Sequence, residues 1–469
     1  MKRLIRNSIM AVMAVAAPLN ADETLSREIQ PEQVTKLRMM SNNNLPKKVI
    51  VVRNYSTSGF VDRLVRTIQT INKDFVNPMK LHVIVDSSSS YRSFRKQMED
   101  ANLYGSLVEI NDQFFTSDQW MQDWGEILVA DVAGKPEPEL TIFDSNRGRG
   151  LRGLPKLFAD MWGGHYLKNP NNQGIKGDYG GNIEVSPDNV LVLGDTSTQD
   201  LRQFFAQRGY GDKTALLETR WLTVGHVDEY VSFVPDASAP GGYAIVKADP
   251  GLAIELIKNA TPEQLNAVHS SYRSQIINMH NALKEEGVSR MSLDDYDLSE
   301  GNILTEPVAR NSDPLRLNQL VDLNRSISEL IDRNIETLKQ SITAATKGRR
   351  TEFRVVSFPT IFQGRKSGGG LNGCVALLPG TVNMLVLGHH AVIPDAQFPL
   401  FNDHIRQTTA STKIVPHFLE NLAYHYSNGQ IHCGTNVMRE TEGYAVKPEV
   451  IMRKPLKSVE NFQRLFQNR

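Results

Sequence analysis

Cysteine is nearly absent from this chain: there are two in 469 residues, Cys374 and Cys433. That excludes a scaffold stapled by disulfides, and two thiols so far apart speak against a zinc centre. Net charge is absent as well, because 52 Lys and Arg balance 52 Asp and Glu. No global field draws the protein to nucleic acid or to an anionic membrane, and no long run of like charge replaces one. Nucleic acid is therefore not expected as a partner. Long apolar runs are also lacking. The most apolar stretch, Ile9 to Ala17, falls well short of the ~20 residues that span a bilayer, so no stable membrane insertion is expected. There is no exact internal repeat and no low-complexity tail.

What is present begins with Lys2, Arg3 and Arg6 ahead of that apolar stretch, with small residues up to Ala21. This is the pattern of an export signal over residues 1–21, although Leu19 fits poorly before the cleavage point. It predicts a periplasmic or secreted protein. Residues 22–46 read as a polar, irregular leader ending in "SNNNLPKK". Residues 47–460 read as one α/β or α+β domain. Its strand candidates are "VIVV" (49–52), "LHVIV" (81–85), "EILVADV" (126–132), "LTIF" (140–143), "VLVL" (190–193), "EYVSFV" (229–234), "YAIVKA" (243–248), "FRVVSF" (353–358) and "VNMLVL" (382–387). Phe60, Val61, Leu64, Val65, Ile68 and Ile71 mark a helix over 59–73. A mostly helical insertion covers 252–345. In it Asp313 can cap and Pro314 can start a long helix. Leu320, Leu323, Ile327, Ile331, Ile335, Leu338 and Ile342 form that helix's apolar stripe.

Several stretches carry chemistry. In "VGHVDEYVSFV" a strand would place His226, Asp228 and Tyr230 on one face, and an imidazole beside a carboxylate is how a general acid/base is held. The same pattern also reads as a polar surface face. "DQWMQDWGEI" (118–127) sets Asp118, Gln122, Asp123 and Glu126 among Trp120 and Trp124. Such a cluster suits a flat cation such as guanidinium, or calcium, or a solvated turn. "YGGNIEVSP" is a glycine turn running into a strand that carries Glu184.

"GQIHCGTN" places Cys433 before Gly434, which would let a substrate approach the backbone closely. On a strand His432 would face away from Cys433, which makes His226 the better base. On these residues alone Cys433 reads as an inert filler, as half of a bridge to Cys374 or as a nucleophile. "GRGLRG" (148–153) fits G-x-G-x-x-G. Two arginines crowd its loop, however, and the acidic partner further on is missing, so a dinucleotide site is rejected. "KSGGGLNG" (366–373) reads as a flexible turn. His389 and His390 lack a metal-ligand spacing and read as surface or packing residues.

Together "WMQDWGEI", "FDSNRGRGL", "GGNIEVSP", "GHVDEYVSFVP", "VNMLVLGHHAVIPD" and "GQIHCGTNV" resemble, in this order, the signatures of the catalytic domain of protein-arginine deiminases, from Trp120 to Arg439. "SISELIDRNIETLKQSI" resembles the family's long helix. The resemblance implies a pentein fold, a five-bladed pseudo-symmetric α/β propeller of ββαβ modules. It also implies hydrolysis of arginine in a protein or peptide to citrulline and ammonia. Carried over by motif, Cys433 is the nucleophile and His226 the general acid/base, while Asp123 and Asp228 grip the guanidinium. Trp120 packs along the substrate's aliphatic stem and Arg149 holds its backbone.

Calcium is the implied cofactor, at Gln122, Glu126 and Glu184 with backbone carbonyls near Gly180 and Ile183. A second calcium position maps onto Asp144 and Ser145, but Trp124 and Gly148 stand where its other side-chain ligands belong. The alternative readings are a deiminase of free arginine, agmatine or another small guanidine, and a non-catalytic binding protein on the same fold. Arg149 favours peptides. Ser427 stands near where some family members place a further active-site arginine. The oligomeric state is not legible.

Overall fold

The computed structural model describes residues 27–284, 314–367 and 370–441. The export signal and the capping role of Asp313 lie outside them. The architecture is α/β, with six sheets among the described residues, none closed on itself.

One connectivity recurs: an antiparallel strand pair, a helical crossover, then a strand parallel to the second. Gly125–Val132 pairs with Glu139–Asp144, helix Leu154–Trp162 crosses over, and His165–Lys168 returns parallel. Ile183–Val185, Leu191–Gly194, helix Gln199–Phe205 and Thr214–Leu217 repeat it. So do Leu385–Leu387, His390–Pro394, helix Pro399–Thr412 and Val415–Leu419. Val231–Pro235 and Tyr243–Asp249 are followed by the helical insertion before Arg354–Pro359 closes that sheet. The remaining sheet joins the two ends of the described chain. Thr435–Arg439 lies antiparallel on Pro46–Arg53, helix Ser58–Ile71 follows, and Lys80–Val85 returns parallel. A parallel return needs a crossover of this kind, which is why a helix precedes each one.

Both amphipathic patterns are borne out. Phe60, Val61, Leu64, Val65, Ile68 and Ile71 are all buried on Ser58–Ile71. The seven apolar positions of the long helix, Pro314–Ala345, are at most 3% exposed. At ~2 kcal/mol per buried aliphatic side chain, that stripe fixes the face by which the helix packs on the domain. No described helix is long and apolar enough to cross a membrane.

Three expectations need correction. Residues 22–46 are not wholly an irregular leader, because Val34–Met39 adds an antiparallel edge to Gly125–Val132, with Val34, Leu37 and Met39 in the core. "KSGGGLNG" is not simply a turn, since Phe362–Ser367 and Gly370–Ala376 form an antiparallel pair. The strand expected over 229–234 begins only at Val231. Val227–Glu229 is a 3₁₀ turn, closed where Glu229 Oε1 accepts the His226 N–H at 3.0 Å.

Candidate active site

The turn that replaced the expected strand still delivers its two polar side chains to one place. A Cβ on Gly181 would stand 2.6 Å from His226 Nδ1 and 3.1 Å from Asp228 Oδ2, so both groups converge over a bare glycine backbone. Tyr230 does not share that face. Its hydroxyl turns the other way, donating to the Glu218 carbonyl and accepting from Asn334 on the long helix at 2.9 Å. The insertion thus braces the turn from behind.

Cys433 also lies off any strand, in the tight turn ahead of Thr435–Arg439. Asn383 fixes it. The Cys433 N–H donates to Asn383 Oδ1 at 3.1 Å, and Asn383 Nδ2 donates to Cys433 Sγ at 3.1 Å and to the Asp228 carbonyl at 3.1 Å. The thiol itself points to Asp228 Oδ2 at 3.4 Å. The glycine beside it serves packing rather than substrate approach, because a Cβ on Gly434 would meet the Tyr424 ring at 2.4 Å. With no strand alternation to turn it away, His432 joins the site through the shared carboxylate, its Nδ1 2.9 Å from Asp228 Oδ2. Both cysteines are free, and Cys374 is buried core. A disulfide is excluded.

Asp123 enters from the turn before Gly125–Val132, which is stitched to the Cys433 turn by a Gln122 N–H to Cys433 carbonyl bond of 3.1 Å. Its Oδ2 is bonded by Arg147, and its Oδ1 lies 3.8 Å from His226 Nδ1. Arg147 is held from behind by both oxygens of Asp118 at 3.0 Å. Arg147, Asn383 and His432 are the residues that sequence reasoning did not assign. All three lie inside the motifs already quoted, but only the fold shows what they touch.

Three buried polar atoms among the Asp, His and Arg side chains just described have no hydrogen-bond partner: Arg147 Nε, His226 Nδ1 and Asp228 Oδ1. The other ring nitrogen of His226 donates to the Lys176 carbonyl at 3.0 Å, which leaves the lone pair on Nδ1. Asp228 Oδ1 and His226 Nδ1 are thus open acceptors on side chains that converge over the same glycine, and they suit a ligand that carries N–H donors. Burial first, then the Asp228 and Asp123 charges, push the Cys433 thiol well above its ordinary range. Burial likewise raises Asp123 against the opposing pull of Arg147.

Trp120 and Arg149 line a surface cleft with Asp118 and Ser427. Trp120 packs on Tyr424, ring centroids 5.8 Å apart, and Arg149 is exposed. A small further cavity borders Cys433, Asn383 and Glu229.

Gln122, Glu126 and Glu184 cluster beside this machinery. Gln122 Nε2 donates to Glu126 Oε1 at 2.9 Å, and Glu184 Oε1 is 3.3 Å from His432 Nε2. Burial and then the Glu184 charge drive Glu126 well above the carboxylate range, and burial lifts Glu184 to about 7. Two crowded carboxylates with an amide oxygen beside them fit a hard cation. Asp144 and Ser145 are committed elsewhere. Asp144 accepts from Tyr166 and from the Asn146 N–H, each at 2.7 Å, and Ser145 Oγ donates to the Asp123 carbonyl at 2.6 Å. Trp124, at the neighbouring position, is fully buried against Phe158.

Comparison with known proteins gives the fold and the family. A structural-genomics target provisionally assigned as an agmatine deiminase superposes with a TM-score of 0.51 at 12% identity, over 88% of this chain and 99% of that one. At that identity the likeness is one of fold. The model of the family "Protein-arginine deiminase (PAD)" matches residues 39–445, and the chain belongs to that family. It is 29% identical over 351 residues to protein-arginine deiminase type-3 of Mus musculus, covering 69% of this chain and 47% of that protein. It is 29% identical over 350 residues to protein-arginine deiminase type-4 of Homo sapiens, covering 69% and 46%. The chain spans about half the length of these curated relatives.

Proposed function

We propose that this protein is a hydrolase that converts peptidyl-arginine to peptidyl-citrulline and ammonia, on a five-bladed pentein arrangement of its ββαβ modules. The recurrent connectivity of five of the sheets supports that arrangement. The observation that carries the activity is the pair of orphaned acceptors, His226 Nδ1 and Asp228 Oδ1, beside a thiol and a second carboxylate. A guanidinium offers five N–H donors in a plane and one positive charge, which suits Asp228 Oδ1 and the second carboxylate, while the His226 Nδ1 lone pair is left to take a proton.

In this reading Asp123 and Asp228 hold the guanidinium and Cys433 Sγ attacks its central carbon. One proton moves from Cys433 to His226 as the cation binds, which leaves the net charge unchanged. The new C–S bond forms, the C–N bond breaks, and His226 Nδ1 supplies the proton that leaves with ammonia. Water then attacks the same carbon with His226 as base, the C–S bond breaks, and the product carries C=O in place of C=NH. Arg147 is a positioning residue: it anchors Asp123 through Oδ2 and leaves Oδ1 facing the pocket.

Gln122, Glu126 and Glu184 would hold calcium, which when bound neutralises the two carboxylates behind the Cys433 turn. Asp144 and Ser145 are not included, because Trp124 and Gly148 leave that position without its other side-chain ligands. Trp120 and the exposed Arg149 favour a peptide over a small guanidine, because a cleft outside the pocket has use only for a larger substrate. Export from the cell is proposed on the N-terminal segment alone.

The test is citrulline release from an arginine peptide, a blocked arginine ester and free arginine, each with calcium and with chelator. Release from the peptide and ester that falls at least ~10-fold on chelation supports the reading. Release from free arginine alone favours the small-guanidine alternative, and no release from any refutes both.

A further inference from the structure

His389 and His390 take no part in the site above, yet the fold gives them partners. They sit where Leu385–Leu387 turns back into His390–Pro394. Successive residues of a strand face opposite ways, but His389 lies in the turn, so the two rings come side by side, centroids 4.1 Å apart. Asp74, in the 3₁₀ turn Asn72–Asp74 behind helix Ser58–Ile71, meets them from another module. Its Oδ2 is 3.2 Å from His390 Nε2 and 3.9 Å from His389 Nε2, and the three ligand atoms lie within 4.8 Å of one another. Behind them His417, on the parallel neighbour Val415–Leu419, places its Nε2 3.0 Å from His390 Nδ1.

The rings are ordered by one another: His390 Nδ1 faces His417 Nε2, which leaves His390 Nε2 as the atom turned to Asp74. His390 is 3% exposed, and its Nε2 has no aligned hydrogen-bond partner despite the nearby carboxylate. Two imidazoles beside a carboxylate are the donor set of a borderline transition ion. Around a tetrahedral ion with bonds of ~2.0–2.1 Å, ligand atoms stand roughly 3.3 Å apart, so one of the two Asp74 spacings fits as it is and the other needs to close by roughly half an ångström. Phe75 stacks over His389, centroids 6.2 Å apart and 11° between planes, as an apolar wall. The Asp74 side chain, 39% exposed, leaves one side open for entry and for a water ligand.

We propose that Asp74, His389 and His390 bind one divalent transition ion of the zinc class, with His417 accepting the Nδ1 proton of His390 and so aiming its Nε2 at the metal. The ion clasps the end of the first crossover helix to a hairpin more than 300 residues away in sequence (389 − 74 = 315). It shares no residue with the Cys433 site, and the proposal stands or falls apart from the activity.

The test uses the untagged full chain carrying Cys433→Ala, stripped with chelator and held in excess calcium, so that neither the thiol nor an oxygen site competes. Titration with Co²⁺ is expected to give one equivalent of ligand-field absorption typical of four- or five-coordinate cobalt, displaced by Zn²⁺. Zn²⁺ is expected to raise the thermal midpoint. Asp74→Asn and His389→Gln, both at the accessible edge, should each weaken binding by more than ~100-fold, and His417→Gln by ~10–100-fold. Circular dichroism checks that each variant is folded. No stoichiometric cobalt or zinc binding by the parent protein overturns the proposal, as does parental affinity in either Asp74→Asn or His389→Gln.

Discussion

Cys433 sits among groups that oppose its ionisation. Burial, and then the charges of Asp228 and Asp123, the carboxylates proposed to hold a cationic substrate, push the thiol up. In the proposed mechanism a bound guanidinium would offset those negative charges and favour the thiolate. In the free protein, iodoacetamide should therefore label Cys433 slowly at neutral pH, faster as pH rises, and faster at pH 7 in Asp228→Asn, where one negative charge is gone. Mass mapping of the labelled thiol reads this directly, with Cys374, buried and pushed up to about 12, as the unreactive control. Labelling of Cys433 that has already levelled off at pH 7 would contradict the reading. At this scale residue type named candidates such as Cys433 and His226 but left their roles open, and the resemblance alone chose among them. Arg147 and Asn383 were not named, since an arginine or an asparagine means nothing until the fold shows that one anchors Asp123 and the other holds Cys433.

The turn Val227–Glu229 shows where local pattern and local chemistry part. "HVDEYVSFV" alternates as a strand should, with β-branched and aromatic residues throughout. Yet the Glu229 carboxylate takes the His226 N–H and closes a turn, a capping-box interaction that outweighs the alternation. The long helix was legible because its stripe is periodic and its packing local to one face. The Cys433 segment was not, because a turn of this kind leaves no periodic trace.

Glu229 also gives the turn a pH signature. Burial raises its carboxyl from an ordinary 4.5 to about 8. The folded state thus keeps a proton that the unfolded state releases above 4.5. Stability from this group is full below that value and is lost as pH rises toward 8, by at most about 1.4 kcal/mol per pH unit. Glu229→Gln keeps the Oε1 acceptor and removes the titration. Urea unfolding between pH 5 and 8 should show a downward slope in the wild-type protein that is reduced in Glu229→Gln, and equal slopes would refute the assignment.

The molecule as a whole is built from a connectivity that its sequence does not repeat. The modules share an order of strands and helices, not residues, so no internal repeat is visible in the chain. The sheet that joins Thr435–Arg439 to Pro46–Arg53 pairs segments nearly the full described length apart, beyond the reach of any periodic pattern. The same long-range closure gathers the site, since Asp123, His226, Asn383 and Cys433 come from four different connections between sheets. Only the resemblance to a known family anticipated that gathering, and it did so by the order of the motifs rather than by their physics.

That gathering is also the central claim, and one measurement tests it most directly. An arginine peptide is incubated in ¹⁸O-labelled water with wild-type protein and with folded Cys433→Ala. The peptide mass is then followed. The account predicts that the wild type converts arginine to citrulline carrying the label, and that Cys433→Ala leaves the peptide unchanged. Labelled citrulline formed by Cys433→Ala at the wild-type rate would contradict it.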